Sequence, residues 1–290
     1  MAKVYDALQR AEAERKRRVE PDDSAPTLSP RLDWEPEVTA AESLPVPAPT
    51  TDEPFFRRWL PFRKKVNVDT SGDLNKRRIS LLQPDSFVAE QFRALRGRID
   101  AIASERQINT IAVTSAMPGE GKTTSAINLA VVTSLSVGKR VLLIDCDLRR
   151  PKVHRTLGLH PETGLAEVLT DEVSLEDAIM KAENVSLEVL PVRGRPANPS
   201  ELLGSSRMAE LVQEVGQRYD RVILDTPAAL GLPDAKVVAD LCDGVVMVIR
   251  AGTTKQEEVQ TMLEILDRSR VLGLVMNGTR AEQGRYGYAS

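Results

Sequence analysis

Three short groups of residues carry types and spacings suited to polyphosphate chemistry. They are Pro118, Gly119, Glu120, Gly121, Lys122, Thr123 and Thr124, then Asp145 and Asp147, then Asp225. Gly119 and Gly121 let a loop backbone curl so that its N–H groups face phosphate oxygens, and a helix starting near Lys122 adds its partial positive end. Lys122 supplies an ammonium for the β- and γ-phosphates, and Thr123 a hydroxyl for Mg²⁺. Asp145 and Asp225 each close an apolar run, Val141–Ile144 and Val222–Leu224. In an extended strand Cys146 would face away from Asp145 and Asp147, leaving the two carboxylates on one side, ~7 Å apart. Crowded carboxylates repel unless a cation or a shared proton relieves them. Magnesium would do this and leave one carboxylate to accept a proton from an attacking hydroxyl. The expectation is a site for ATP and Mg²⁺, with Lys122, Asp145, Asp147 and Asp225 catalytic. Thr123, Asp145 and Asp225 would serve the metal, and Asn277, at the end of the last expected strand, would join the loop residues at the nucleotide. Taken alone the loop pattern is loose, since Ala116 stands where its first glycine usually does.

The elements needed to position these groups follow from the apolar pattern. Strands are expected over 109–115, 140–145, 187–191, 220–225, 243–250 and 271–276, with helices over 122–136, 164–181, 200–217, 234–241 and 255–269 between them. A further helix over 85–105 would place Phe87, Phe92, Leu95 and Ile99 on one side. Strands alternating with helices imply an α/β fold, a mainly parallel twisted sheet with helices on both faces. Ligands of such sheets sit at the carboxyl ends of the strands, and all three motifs lie there. The fold expected is that of a P-loop NTPase.

The chain has 290 residues, 41% of them apolar but only 4% aromatic, so aliphatic side chains must fill the core. A formal net charge of −3 argues against a bulk nucleic-acid binder. Cys146 and Cys242 are too few and too far apart for a disulfide framework and read as buried thiols. His154 and His160 read as surface or helix-packing residues. No stretch approaches the ~20 apolar residues of a membrane span, and the N-terminus lacks the apolar core of a secretory signal. A short helix is expected within 1–20, then a disordered linker over 21–83, a P-loop domain over 84–280 and a flexible tail over 281–290. Nine of the 18 prolines fall between Pro21 and Phe62. Within the linker, residues 54–65 mix Phe55, Phe56, Trp59 and Phe62 with five basic groups. That composition suits an anionic membrane surface, a partner's groove, or an apolar groove of the chain's own domain.

Together these motifs resemble those of the bacterial tyrosine kinases of capsule and exopolysaccharide synthesis, relatives of the cell-division and partition ATPases. The resemblance runs from 85 to 277 and includes Asn198–Leu203 with Arg207 and Met208; the stretch from Lys3 is similar to the start of the cytosolic members. It implies that Asp145 and Asp147 form the family's second Walker motif and Asp225 its Walker B residue. Glu90, Arg93 and Arg96 recur every three residues on one helix; the bare pattern fits local ion pairs, whereas the resemblance implies a face that builds a homo-oligomeric ring. It further implies an ATP-dependent protein tyrosine autokinase that regulates polysaccharide polymerisation or export. Such a protein would be cytoplasmic, peripheral to the inner face of the membrane, and would work with a separate membrane activator. Tyr286 and Tyr288 would be phosphorylated in trans, although members usually end in a larger tyrosine cluster. Met117 stands where the partition ATPases have a further lysine. The competing readings are a non-kinase ATPase switch and a nucleotide-controlled assembly module.

Overall fold

The structure, a computed structural model, describes residue 83 and residues 85–182 and 185–279. The expected helix within 1–20, the linker apart from Gln83, its aromatic-basic patch, and the tail with Tyr286 and Tyr288 lie outside the described residues.

Helix α1 (Phe87–Glu105) opens at Ser86, whose hydroxyl accepts the Ala89 N–H at 3.2 Å and satisfies one of the helix's free donors. Strand β1 (Thr110–Ser115) leads into α2 (Lys122–Ser134), and β2 (Val141–Asp145) into three short helices. These are α3 (Val153–Leu157), α4 (Leu165–Leu169) and α5 (Leu175–Ala178). Then come β3 (Met180–Lys181), β4 (Leu187–Leu190), α6 (Pro199–Leu203), α7 (Ser206–Arg218) and β5 (Arg221–Asp225). The remainder is α8 (Asp234–Asp240), β6 (Gly244–Arg250), α9 (Gln256–Ile265) and β7 (Val271–Asn277).

The sheet order is β3-β4-β2-β5-β1-β6-β7, parallel throughout except for the antiparallel pair β3–β4. Its central strands are apolar without alternation because both faces are covered. Ile111, Val113, Leu143 and Ile223 pack toward α1 and α2. Their neighbours Ala112, Leu142, Ile144 and Leu224 enter a second core with α6, α7 and α8. The chain leaves β1 toward β2 on one side and later reaches β6 on the other. The loop after β1 therefore sits where a parallel sheet opens a crevice.

The six expected strands are present with their ends moved by at most one residue. The helix expected over 164–181 breaks because Asp171 takes φ 57° and Ser174 caps a new helix. That expected over 200–217 breaks at Gly204, and Ser205 caps α7 through the Met208 N–H at 3.2 Å. Strand β3 and helix α3 were not expected. Phe87 does not join the buried side of α1 and is 53% exposed. Ala89 takes that place with Phe92 and Ile99, because two residues along a helix turn the side chain by roughly 200°. Cys146 and Cys242 are buried free thiols, His154 is half-buried, and His160 is exposed.

Candidate nucleotide site

The turn between β1 and α2 is a loop whose glycines are required twice over. Gly119 and Gly121 take φ 91° and 103°, the left-handed region that other residues avoid. A Cβ at Gly121 would also lie 2.0 Å from Asn277 Nδ2. Helix α2 begins immediately after, with the Ser125 N–H on the Gly121 carbonyl at 2.9 Å. Its free N-terminal amides thus open on the loop. Ala116, at the first motif position, is fully buried, so a methyl is accommodated there.

The loop's outer side is held by other parts of the chain. Glu120 is buried, with Oε2 accepting the Met117 N–H at 2.9 Å and Oε1 accepting the Thr254 hydroxyl. Asn277 Nδ2 donates to the Glu120 carbonyl at 2.8 Å, while its Oδ1 accepts the Gly278 N–H at 2.9 Å. Arg250 Nη1 donates to the Gly119 carbonyl at 3.1 Å. Asn277 is thus tied to the loop backbone through the Glu120 carbonyl.

Facing the loop are three carboxylates. Asp145 and Asp225 are register partners on the adjacent parallel strands β2 and β5, both fully buried. Strand β2 ends at Asp145, but Leu142, Ile144, Cys146 and Leu148 all enter one core, so the alternation continues past the strand end and leaves Asp147 on the side of Asp145. The Arg150 N–H on the Asp147 carbonyl at 3.1 Å then turns the chain. Lys122 Nζ lies 2.7 Å from Asp147 Oδ2 and 3.9 Å from Asp225 Oδ1. Asp145 accepts the Asp147 N–H at 3.1 Å, and the Lys152 and Val153 N–H groups at 3.0 Å, so it also anchors the start of α3. Both oxygens of Asp225 are buried and accept no hydrogen bond.

This crowding shifts the titrations. Burial and the neighbouring Asp225 charge push Asp145 up to about 8, against the Val153 N–H. Burial also raises Asp225, with Lys122 and the nearby Thr123 hydroxyl pulling the other way. Burial alone would lower the Lys122 ammonium; the charges of Asp225 and Asp147 outweigh it and hold it above its ordinary value. The orphaned oxygens of Asp225 beside Thr123 suit a hard divalent cation, which takes oxygen donors and would supply the missing positive charge.

Just beyond Asp147, Arg149 places Nε on Asp234 at 2.7 Å and Nη2 on Ser200 at 2.8 Å, and so joins α6 to α8. Glu90 and Arg93 form an ion pair along α1. Arg96 instead reaches the end of α2, donating to the Val132 carbonyl at 2.6 Å and to Ser136 at 2.9 Å. Arg250 and Thr254 were missed by sequence reasoning. The position of Arg250 at the carboxyl end of a parallel strand was the one signal for it.

A glycine-curled loop at a helix N-terminus, its lysine and a wall of buried aspartates at a parallel sheet's carboxyl edge define a P-loop nucleotide-binding protein. A family model described as an AAA domain matches residues 108–271. Tyrosine-protein kinase YwqD of Bacillus subtilis (strain 168) is 42% identical over 213 residues, 72% of this chain and 90% of that protein. The succinoglycan biosynthesis transport protein ExoP of Rhizobium meliloti (strain 1021) is 36% identical over 72% of this chain, which spans only 27% of that longer protein. Among solved structures, the kinase domain of the Escherichia coli tyrosine kinase ETK superposes with a TM-score of 0.67 at 32% identity, covering 73% of this chain and 84% of that one. The chain belongs to the family of bacterial tyrosine-protein kinases.

Proposed function

We propose that this chain is an ATP-dependent protein tyrosine autokinase that regulates exopolysaccharide or capsule polymerisation or export. The observation that carries the chemistry is Lys122, held between Asp147 and Asp225 at the head of the phosphate loop. Without nucleotide, its ammonium offsets the two carboxylates. Phosphates entering the loop offer it a stronger partner, and its move toward them frees Asp147. The tyrosine oxygen then forms a bond to the γ-phosphorus as the bond to ADP breaks, and Asp147 takes the phenolic proton. Thr123 and Asp225 would hold Mg²⁺, with Asp145 behind them; the ion would neutralise charge on the phosphates.

Tyr286 and Tyr288 are the proposed acceptors, reached in trans from a neighbouring copy. Glu90, Arg93 and Arg96 support a homo-oligomeric ring, although Arg96 also fastens α1 to α2 in the single chain. Among the described residues no helix is long and apolar enough to cross a membrane. A separate membrane activator, with residues 54–65 on an anionic surface at the inner face of the membrane, fits that observation. The trans reading is tested by mixing two variants in Mg-ATP: the chain with Lys122→Met, as acceptor, and a chain ending at residue 279, as donor. Phosphotyrosine on the acceptor's tail is expected. None on either chain, with wild type active, would contradict transfer between copies.

A further inference from the structure

Three side chains grip the phosphate loop from its outer side, and none belongs to the sequence motifs that announce the site. Arg250 is the last residue of β6 and Asn277 the last of β7, two strands at one edge of the sheet. Thr254, just beyond β6, donates its hydroxyl to the buried Glu120 carboxylate and accepts the Arg250 N–H at 2.7 Å. The Ala251 N–H on the Asn277 carbonyl at 2.8 Å ties the two strand ends together, so the three act from one platform.

Their effect on the loop follows from peptide geometry. A trans peptide is planar, with its C=O and N–H pointing in opposite directions. No cis peptide occurs among the described residues. Arg250 holds the Gly119 carbonyl outward at 3.1 Å, so the N–H of Glu120 in the same peptide unit must turn inward. Asn277 holds the Glu120 carbonyl outward at 2.8 Å, which turns the Gly121 N–H inward as well. Glu120 Oε2, itself fixed by Thr254 on the other oxygen, pins the loop's start through the Met117 N–H. A loop with two glycines would otherwise sample many backbone states, and binding would have to supply the cost of ordering it.

We propose that Arg250, Thr254 and Asn277 are positioning residues for the phosphates of ATP, which set the loop's inward amides before nucleotide arrives. This rests on the nucleotide reading of the site and adds that the loop's shape is imposed from behind it. Glu120 acts through its carboxylate as the peg on which Thr254 pulls, and its backbone N–H faces the ligand. In this role none of the three side chains touches the nucleotide.

The test uses the full chain as wild type, Arg250→Ala, Thr254→Val, Asn277→Ala and the Arg250→Ala/Asn277→Ala double variant. Calorimetric titration with Mg-ADP should show each single variant binding about 3- to 10-fold more weakly, the effect expected for one hydrogen bond. The double variant should bind more weakly than either single one, and Arg250→Lys should recover most of the loss because it keeps a donor. The KM for ATP should rise more than kcat falls, as expected for lost preorganisation of binding. Hydrogen exchange without nucleotide should quicken at 117–122 in the double variant and stay unchanged at 187–190 in β4. Wild-type affinity and loop exchange in the double variant would overturn the proposal. So would faster exchange at both places, which would mark a general loss of stability. A wild-type chain that fails to bind Mg-ADP would overturn the nucleotide reading itself, and would do so before any substitution is compared.

Discussion

The two walls of the nucleotide site are built on opposite plans. On the loop wall, the Gly119 and Glu120 carbonyls, the Met117 N–H and both Glu120 carboxylate oxygens each have a partner. On the strand wall, Asp225 is fully buried with neither oxygen accepting a hydrogen bond, and burial has pushed Asp145 up to about 8. Three carboxylates there share one lysine. One wall is a finished template, and the other stores electrostatic tension that a cation and a phosphate chain would relieve. Proteins hold strain of this kind where function needs it, and rest its cost on a well-packed surround. Here the surround is β1, β2 and β5, buried along their whole length.

The largest break in this comparison comes from removing its hinge. Lys122→Met takes away the ammonium that serves both walls. Phosphotyrosine formation should fall by roughly 100- to 1,000-fold in an immunoblot time course, the scale set by losing one electrostatic donor to a transition state. Asp225→Asn tests the strand wall alone. It should cost about 100-fold in Mg²⁺-dependent turnover. It should leave the melting temperature of the nucleotide-free protein unchanged or raised, because the variant no longer buries a charge without a hydrogen bond. A marked drop in that temperature would mean that Asp225 is a structural residue.

Gly121→Ala tests the loop wall and should behave in the reverse way. Its Cβ would lie 2.0 Å from Asn277 Nδ2 at a φ of 103°. Melting should fall by about 2–8 °C, from a left-handed strain of ~1–2 kcal/mol in a domain of this size. The smallest effect is on pH. Asp145 is protonated in the fold up to about 8, whereas a solvated aspartate of the unfolded chain titrates near 3.8. A group raised on folding contributes stability that is complete below its unfolded value and lost as pH rises through its folded one. The nucleotide-free chain should therefore melt progressively lower between about pH 5 and about pH 8, and Asp145→Asn should flatten that slope. An equal slope in the variant would place the titration elsewhere.

Much of this arrangement was legible because it is local in sequence. The central strands show as unbroken aliphatic runs, and the loop, its lysine and its threonines lie within nine residues, 116–124. Asp145 and Asp225 could be picked out because each closes such a run, and Asp147 because it stands two residues from Asp145. What was not legible depends on the folded chain. Arg250 and Asn277 lie 131 and 157 residues from the loop atoms they hold, and only their places at the carboxyl ends of parallel strands mark them, which sufficed to single out Asn277 but not its grip on the loop. Helix α3 is only five residues long, and its first amides rest on Asp145, a partner from another element. Strand β3 is two residues that pair with β4, too short for any periodicity. Arg96 fits the spacing of an outward-facing charge row, yet the packing of α1 on α2 turns it to a helix end.

The central claim is that the two walls together transfer phosphate from ATP to tyrosine. It is tested most directly by incubating the wild-type chain and the chain with Lys122→Met in Mg-ATP, with and without membranes, and mapping phosphate by mass spectrometry. The account predicts phosphate on Tyr286 or Tyr288 in the wild type and at most about a hundredth of that level in the variant. ATP hydrolysis with no phosphotyrosine under either condition, or equal phosphotyrosine in both proteins, would contradict it.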